Sequence, residues 1–438
     1  MNNSFYIGVI GSKTQLQGIT VASNNIANIN SYGFKADRPE FKTIFETELS
    51  NNYFDMTSND LNAGAVMQTT STDLRSGSYV NTDKDFDLAI AGDGWFGISN
   101  GERVYFTRAG TFMKDMDSYL VDSEGNYVMG TSGDNINGKL VTPIEAIEMK
   151  NVSEQTKIKL PPDLVLPPKP TLNVILKGNL DPTIHKKFDP DTGEEIEIPN
   201  EEHFSTVIIG PEGEKQHLKM TFIKEVPQKP TGVVWNVKVE IIDGNEVKAS
   251  EEGKLVFNET GALIKSEISD ISNGFQRLHI DVGSIFDGSA LGKGYDGLVS
   301  FAGINKEKSI TRDGYAKGYL QNYEINEKGE IIAVFDNAQS VPIARVAIYH
   351  FRNDEGLEKV TPTVFQATIN SGEPIFLKNE NGEFVEESKI LSRTLETSNV
   401  SLSEALTHLI VMQKAFDASA KSITTSDQMI QKAINMKK

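Results

Sequence analysis

An uninterrupted heptad stripe at the C-terminus constrains the fold more than any other feature of this sequence. Its positions alternate steps of four and three residues, at Leu402, Leu406, Leu409, Gln413, Phe416, Ala420, Ile423, Asp427, Ile430 and Ile434. This spacing places all of them along one side of an α-helix. Ser401 and Glu404 have the Ser-x-x-Glu spacing of a capping box, and no Gly or Pro interrupts residues 400–438. The pattern predicts a long C-terminal helix.

The same stepping recurs at the N-terminus. Its positions are Phe5, Val9, Ser12, Leu16, Ile19, Ser23, Ile26 and Asn30, and Gly33 stands where such a helix would stop. Two single-stripe helices at opposite ends of one chain favour pairing with each other, and the alternative is that each packs separately on the body of the molecule. Both stripes mix apolar, small and polar positions, which suits packing among many copies better than an isolated two-stranded coil.

Between the two ends, the sequence is typical of short strands and tight turns. Apolar runs at 87–90, 104–106, 233–239 and 346–349 predict strands. Hairpin turns are predicted where Gly follows Asn100, Asn137, Asp243, Asn273, Asp313 and Asn381. Strands do not alternate with helices, which argues against a doubly wound or barrel enzyme. The predicted fold class is mainly β, with sandwich-like or barrel-like central domains and long terminal α-helices that form a coiled-coil-like domain.

We expect these domains to be nested and discontinuous. The predicted ranges are a terminal helical core at 1–32 and 399–438, an extended connecting region at 33–70 and 364–398, an inner β domain at 71–145 and 286–363, and an outer inserted β domain at 146–285. A Pro-rich stretch at 161–170 reads as a stiff connector near the start of the insertion. Glycines at 283, 288, 292 and 294 mark its other edge.

Residue chemistry gives little support for catalysis. The chain lacks Cys, which removes disulfides, thiolate metal sites and Cys nucleophiles, and its net charge of −18 argues against nucleic acid. Residues 92–97 match G-x-G-x-x-G, but residues 98–101 predict a strand and a turn, not the helix that a dinucleotide needs. The histidines lack metal-binding spacing, and the acidic loop at 189–194 lacks the twelfth-position carboxylate of a calcium loop. We expect no catalytic residue, cofactor, metal or small-molecule substrate.

The sequence also bears on location. No apolar run is long enough to span a membrane, and the N-terminus has no positively charged segment leading into an apolar one. We expect a protein that either stays inside the cell or leaves it without a cleavable signal peptide.

Four segments, in order along the chain, resemble one bacterial family. Residues 22–35 resemble the ANNIAN-x-N-x-x-GFK signature of flagellar rod and hook proteins, at Asn24, Asn25, Asn28, Asn30, Gly33, Phe34 and Lys35. Residues 395–438 resemble the C-terminal SNVDL, Q-R-A-Y and T-x-D-x-M pattern of the same family, and residues 87–122 resemble an internal motif. The turn at Asp313, Gly314 and Tyr315 resembles the D-G-Y turn typical of the hook subunit.

The resemblance implies a non-enzymatic structural subunit of the flagellar hook. Such a subunit leaves through the flagellar type III export apparatus and polymerises outside the cell into a curved, flexible tube that transmits torque from the rod to the filament. The implied partners are further copies of itself, the distal rod protein, the hook cap protein and the hook–filament junction protein. Chain length and the unmatched central region favour the hook over a distal rod or rod-like paralogue.

We interpret the two stripes as the assembly seam, because a free monomer would leave each helix with too little partner surface. The seam residues are Phe5, Val9, Leu16, Ile19 and Ile26 at the N-terminus, and Leu402, Leu406, Leu409, Phe416, Ile423, Ile430 and Ile434 at the C-terminus. Two alternatives lie outside the family: a carbohydrate-active surface β-protein with helical tails, and a coiled-coil adaptor of fixed oligomer size.

Overall fold

The structure, a computed structural model, describes residues 3–45, 62–183, 185–188, 195–226, 232–288, 293–303, 307–379, 384–385 and 388–436. The acidic loop at 189–194 and the predicted turn at Asn381 lie outside the described residues. Within the described part of the chain, none of the helices is both long enough and apolar enough to cross a membrane.

Two long helices bracket the described chain. Helix α1 spans Asn3–Ala27, and helix α2 spans Leu402–Asn435. The predicted C-terminal helix is therefore confirmed. The N-terminal helix is also confirmed. Its predicted end at Gly33 is wrong, because the helix ends at Ala27. The Asn28 amide group donates to the Asn24 carbonyl at 2.9 Å, and turns occupy the residues up to Gly33.

Strands fill the chain between the helices. An antiparallel hairpin comes first, made of β1 (Asp37–Phe45) and β2 (Asn62–Thr72). The next group comprises β3 (Tyr79–Asn81), β4 (Leu88–Ala91), β5 (Trp95–Ser99), β6 (Val104–Thr107), β7 (Met113–Lys114), β8 (Leu120–Val121), β9 (Tyr127–Ser132), β10 (Ile136–Asn137), β11 (Leu140–Val141), β12 (Thr156–Lys157) and β13 (Val165–Leu166).

The strands of the second group pair only with one another within the described part of the chain. This group comprises β14 (Asn173–Asn179), β15 (His185–Phe188), β16 (Glu195–Ile198), β17 (Glu201–Ile209), β18 (Lys215–Lys224), β19 (Val233–Asp243), β20 (Glu246–Phe257), β21 (Leu263–Ser266), β22 (Asp270–Ser272), β23 (Arg277–Asp281), β24 (Leu298–Val299) and β25 (Ser309–Arg312). The last group comprises β26 (Gly318–Ile325), β27 (Glu330–Phe335), β28 (Ser340–Val346), β29 (Ile348–Tyr349), β30 (Glu358–Lys359), β31 (Val364–Gln366), β32 (Lys389–Ser392) and β33 (Thr394–Glu396).

The first and last groups interleave in one sheet, which we call the inner sheet. Its strand order is β10-β11-β13-β26-β27-β28-β9-β5-β6-β31-β30, with β7, β8, β12 and β29 paired at its sides. Strands β32 and β33 run back along β4 and β3. The core beneath the sheet includes Leu88, Phe96, Leu160, Ile331 and Phe335, all buried. Residues far apart in sequence therefore share one core, as nested domains require.

The middle group of strands forms a separate sandwich, which we call the outer sandwich. One sheet is the antiparallel meander β17-β18-β19-β20-β21, and the other is built on β14 with β22, β23, β24 and β25. Alternate residues of β19 point inward, so Trp235, Val237 and Val239 are buried with Phe222 and Phe257. The mainly β fold with two long helices in mutual contact agrees with the predicted fold class.

The sheets change over at positions that differ from the predicted domain edges. Strands β12 and β13, expected in the outer insertion, pair with β9 and β26 of the inner sheet. Strands β24 and β25, expected in the inner domain, pair with β14 of the outer sandwich. The Pro-rich stretch is not a free connector, because Leu164 and Leu166 fill the inner core from within it.

Most of the predicted turns and strands are confirmed. Gly101, Gly138, Gly244 and Gly274 have positive φ and join paired strands, as hairpin turns require. The four predicted strands coincide with β4, β6, β19 and β28 with β29. The hairpin predicted at Gly314 is wrong, because this residue joins β25 of the outer sandwich to β26 of the inner sheet.

The glycine motif at 92–97 connects β4 to β5. No helix begins there, so the dinucleotide interpretation is excluded. The two strands pair with different partners, β32 and β6, so the segment is a turn between sheets and not a hairpin.

Candidate assembly interface

Helices α1 and α2 pack antiparallel through small residues of α1. Ser4 Oγ lies 3.4 Å from Ser426 Oγ towards one end. One turn further along α1, a Cβ atom added to Gly8 would lie 2.9 Å from Ile423 Cγ1. Towards the other end, one added to Gly18 would lie 2.6 Å from Met412 Sδ. The missing side chains of these glycines therefore allow the two helices to approach closely.

This contact face of α1 is offset by one residue from the predicted stripe. The residues that face α2 are Ser4, Gly8, Gly11 and Gly18. Each of them directly precedes a position of the predicted stripe. One residue corresponds to about 100° around an α-helix. Val9 and Leu16 are accordingly 42% and 54% exposed, and Phe5, Ile19 and Ile26 are half-buried. None of the apolar stripe residues of α1 is fully buried in the folded monomer, and Val9 and Leu16 are exposed.

The stripe of α2 is divided between contact and solvent. Leu409, Phe416, Ile423 and Ile430 are half-buried, while Leu402, Leu406 and Ile434 are exposed. The fully buried residues of α2 are instead Ala405, Met412 and Ser426. Sequence periodicity found an apolar line on each helix. In the internal contact of the monomer, α1 uses a neighbouring line, whereas α2 combines Ile423 of its stripe with the neighbouring Met412 and Ser426.

The predicted capping box at the start of α2 is not formed. Ser401 lies at the N-cap with an extended backbone, but its side chain makes no capping hydrogen bond. Its hydroxyl lies 3.2 Å from the hydroxyl of Ser403 instead. Glu404 still lies in the first turn, where a carboxylate is favoured by the helix dipole.

The asparagines of the family motif organise the end of α1. The side chain of Asn25, buried, exchanges two hydrogen bonds with the backbone of Asp37, donating at 2.7 Å and accepting at 2.9 Å. Asn28 binds back to Asn24 and accepts from Ser31 Oγ at 3.1 Å. Asn30 is exposed. The first of these contacts fixes α1 against the base of the β1–β2 hairpin.

The end of the motif reaches a buried ionic cluster, which we call the inner junction and define by Gly33, Lys35, Arg108 and Glu396. Lys35 Nζ donates to Glu396 Oε1 at 2.7 Å, and both side chains are 1% exposed. Arg108 Nη1 lies 3.4 Å from Glu396 Oε2 and is almost as buried. Burial lowers the pKa of Lys35, although Glu396 acts to raise it.

Gly33 fits the inner junction because it lacks a side chain. Its backbone N–H donates to the carbonyl oxygen of Glu396 at 2.8 Å, and its φ is +68°. A Cβ atom here would lie 2.5 Å from the carbonyl carbon of Arg108. The glycine of the motif therefore permits contact between two backbones.

Phe34, the middle residue of the GFK sequence, is fully buried beneath a second lysine. Lys359 Nζ lies 4.3 Å from the centre of the Phe34 ring. The same ammonium group donates to both carboxylate oxygens of Asp37 at 3.0 Å and to the Lys35 carbonyl at 2.9 Å. Burial lowers the pKa of Lys359, and Asp37 opposes this shift. Each residue of the GFK sequence thus ties α1 to the inner sheet.

The D-G-Y turn lies at the other change of layer, which we call the neck and define as residues 169–173 and 312–316. The carboxylate of Asp313 accepts from the backbone amides of Leu172 at 2.9 Å and Asn173 at 3.0 Å, and from the Asn173 side chain at 2.8 Å. Tyr315 exchanges two backbone hydrogen bonds with Lys169, at 2.9 and 3.1 Å. The neck therefore consists of two short segments held side by side.

Sequence reasoning identified one half of the inner junction and missed the other. Gly33 and Lys35 were named in the family motif, whereas Arg108 and Glu396 lie within the segments 87–122 and 395–438 that resemble the family but were not singled out. The small-residue face of α1 did have a spacing signal, since Ser4, Gly8, Gly11 and Gly18 follow the heptad spacing themselves. No group of three or more His, Asp and Glu side chains that could hold a metal ion occurs among the described residues.

Parts of this chain match two family models, and its whole length is similar to known flagellar hook proteins. Residues 391–436 match the family model "Flagellar basal body rod FlgEFG protein C-terminal", and residues 89–214 match "Flagellar hook protein FlgE/F/G D1 domain". The flagellar hook protein FlgE of Borreliella burgdorferi is 30% identical over 468 aligned positions that cover all of both chains. That of Escherichia coli is 24% identical over 99% of this chain and 100% of its own.

A solved structure shows the same fold. The crystal structure of the Helicobacter pylori flagellar hook protein FlgE2 matches 73% of this chain and 100% of its own, with a TM-score of 0.52 and 17% sequence identity.

Proposed function

Because this chain belongs to the flagellar hook protein family and is a structural, non-enzymatic subunit of the hook, we propose that it polymerises through the apolar stripes of α1 and α2. The observation that carries this proposal is the offset of the α1 stripe. Close packing of α1 on α2 uses the glycine face, so Val9 and Leu16 remain exposed on a helix that is already paired.

The composition of the helices suits burial among copies. Helix α1 contains a single charged residue, Lys13, and α2 contains equal numbers of acidic and basic residues. The excess of acid that gives the chain its net charge of −18 therefore lies between the helices. Burying helices with few charged side chains costs little desolvation free energy. Burying the acidic strands would cost more, so they are more stable in contact with water.

Burial of the exposed side chains would supply the driving force. Large apolar residues exposed on the described helices are Tyr6, Ile7, Val9, Leu16, Leu402, Leu406, Ile410, Val411, Met429 and Ile434. Each contributes about 1.5–3 kcal/mol when fully buried, less the entropy lost when side chains and helices are ordered. A few such side chains per neighbour are enough to favour a polymer.

We propose a layered subunit whose domains follow the sheet pairing. The helix pair lies innermost, the inner sheet surrounds it, and the outer sandwich, which we assign to about 171–312, faces solvent. The two hydrophobic cores support this division, because they share no residues. The family model that ends at 214 extends beyond the neck, and we place the boundary where the hydrogen bonding between strands changes sheet.

We propose the further partners on the basis of family membership. Self-polymerisation is implied by the hook protein family itself. We propose that the growing tube also contacts the distal rod protein at its base, the hook cap protein during growth and the hook–filament junction protein at its outer end. We also propose delivery through the flagellar type III export apparatus, which would carry each subunit to the outside of the cell, where the hook lies.

The stripe proposal is tested by making the exposed face of α1 polar. We expect a Val9→Ser, Leu16→Ser double variant to fold but to form at least about tenfold less polymer than the unmodified chain, because more than about 1.4 kcal/mol of burial is lost per contact. The measurement is sedimentation of the concentrated protein followed by electron microscopy of negatively stained tubes.

The control removes two apolar side chains that lie outside the helices and are more exposed than Val9 and Leu16, as Met116→Ser, Ile369→Ser, where both side chains are fully exposed. This control should assemble normally. If the α1 variant polymerises as well as the control, the stripe is not the assembly surface.

A further inference from the structure

Glu396 is the residue on which four separate segments of the chain converge. Its carboxylate accepts from Lys35, from the Gly77 amide at 2.9 Å and from Arg108, and its carbonyl oxygen accepts from Gly33. These partners come from the end of α1, from the segment after β2 and from the loop after β6. Glu396 itself ends β33, shortly before α2 begins.

Glu396 supplies the negative charge of this cluster, which carries a net charge of +1 with it and +2 without it. Two cations, Lys35 and Arg108, share one carboxylate, and all three side chains are at most 4% exposed. Arg108 Nε is also buried without a hydrogen-bond partner among the described residues. Removing the only anion would leave two cations in a low-dielectric site, which is strongly unfavourable. Because Lys35 and Glu396 lie 361 positions apart, the cluster forms only when both ends of the chain are in place.

A second tie lies next to the first. The Asn399 side chain accepts from the Ala36 amide at 2.8 Å and donates to the carbonyl oxygens of Asp73 at 2.8 Å and Arg75 at 2.9 Å. One tie would leave the helix pair free to swivel about it. The two ties, at Glu396 and Asn399, lie on the short segment that leads into α2. Together they fix the direction in which the helix pair leaves the inner sheet.

We propose that the inner junction fixes the direction of the helix pair relative to the inner sheet, and that Glu396 is a positioning residue for assembly. This inference rests on the proposed assembly through the helix stripes. A stripe meets the stripe of a neighbouring copy only if each copy presents its helices at the same angle. Glu396 binds no partner subunit in this proposal; it acts through Lys35 and Arg108.

The test for positioning measures the angle through a distance. The natural chain has no Cys, so spin labels can be placed on Glu124→Cys in an exposed turn of the inner domain and on Asp417→Cys on the exposed face of α2. We expect a narrow distribution of label-to-label distances in the full-length chain. Glu396→Gln should broaden it at least about twofold, because the cluster then lacks its only anion.

The matched control is Glu327→Gln. It removes a carboxylate that pairs with Lys389 at 2.7 Å, where both side chains are more than two-thirds exposed. The control should leave the distance distribution unchanged, and Glu396→Asp, which keeps the charge, should restore much of the narrow peak. An unchanged distribution in Glu396→Gln would overturn the proposal. Trp235, in the core of the outer sandwich, reports by its emission that the outer sandwich of the variant remains folded.

Measuring the rate of tube growth distinguishes failure of the positioning role of Glu396 from failure of the proposed assembly through the helix stripes. We expect tubes of Glu396→Gln to grow at least about tenfold more slowly than those of the Glu327→Gln control. If the control forms no tubes either, the proposed function fails. If both variants form tubes at the same rate, the function stands and the positioning role of Glu396 is wrong.

Discussion

The chain passes between layers at two places, and the two passages are built differently. At the inner junction, four segments meet around buried charges that exclude water. At the neck, two segments run side by side, where the half-exposed carboxylate of Asp313 accepts from the backbone of Leu172 and Asn173. One passage is held by buried charges. The other is held by hydrogen bonds that water can replace, together with a close contact between Gly314 and Thr171.

The difference corresponds to what each layer of a hook subunit requires. The helices must keep one angle in every copy if their stripes are to meet. In the layered subunit that we propose, the outer sandwich faces solvent and shifts relative to its neighbours when the tube bends. Buried charges resist small displacements because they lose solvation without gaining a new partner, whereas exposed hydrogen bonds yield with little cost.

The largest expected effect comes from removing charge at the inner junction, and it should be asymmetric. Glu396→Gln leaves two buried cations and should lower the free energy of unfolding by about 3–5 kcal/mol. Lys35→Met should cost clearly less, because Arg108 remains to neutralise Glu396. Urea unfolding followed by Trp95 emission in a Trp235→Phe background measures both, since Arg108 lies 5.7 Å from the centre of the Trp95 ring. Equal losses in the two variants would contradict this account of the charge balance.

The second prediction tests the close backbone contact at Gly33. Gly33→Ala should lower the free energy of unfolding by about 2–4 kcal/mol, because the added methyl group meets both a left-handed φ and the backbone at Arg108. Gly125→Ala is the matched control, since its φ is +86° but nothing lies within 4 Å of the added atom. The control isolates the cost of φ, about 1–2 kcal/mol. Identical losses at the two sites would mean that the contact carries no weight.

A third prediction applies the same substitution to the neck. A Cβ atom at Gly314 would lie 2.6 Å from the backbone N and Cα of Thr171, so Gly314→Ala should cost about 1–3 kcal/mol. Gly178→Ala is the control, because its nearest neighbours lie 3.4 Å away. Trp235 emission in a Trp95→Phe background reports unfolding of the outer sandwich. If Gly314→Ala matches the control, the neck is looser than the contacts at Thr171 indicate.

What the sequence could predict depended on whether the signal was local. The helix over Leu402–Asn435 and the strands of the outer sandwich follow from periods of 3.6 and 2 residues, which neighbouring positions define by themselves. The face that α1 presents to α2 could not be predicted in this way, because the stripe is defined by apolar side chains and the contact is made by glycines. The insertion was misplaced for a similar reason. Proline suggested a connector, while the alternation of Leu164 and Leu166 indicated a strand.

The inner junction could be only half predicted. The motif drew attention to Gly33, Phe34 and Lys35 but gave no indication of what they bind. Their partners Glu396 and Lys359 come from strands on the far side of the nested insertion, and only the sheet topology brings them together. A lone Lys in a sequence is normally a surface residue, so its burial is visible only in three dimensions.

The smallest expected effect is a pH dependence of the neck. Burial raises the pKa of Asp313, but the hydrogen bonds from Asn173 and Leu172 lower it by more, and the net pKa lies below its usual value. The folded form thus binds a proton less readily than the unfolded chain, so the stabilisation is complete above the ordinary Asp pKa of about 3.9 and is lost as the pH falls through the folded pKa. Because the carboxylate is half-exposed, we expect less than about 1 kcal/mol. The measurement compares the urea midpoint of Trp235 emission with Asp313 and with Asp313→Asn, both in a Trp95→Phe background, near pH 6 and near pH 3. The other acidic groups of the outer sandwich are the same in both chains, so the difference between the two midpoints isolates Asp313 and should shrink at the lower pH. A difference that stays constant would show that Asp313 holds the neck by its shape and not by its charge.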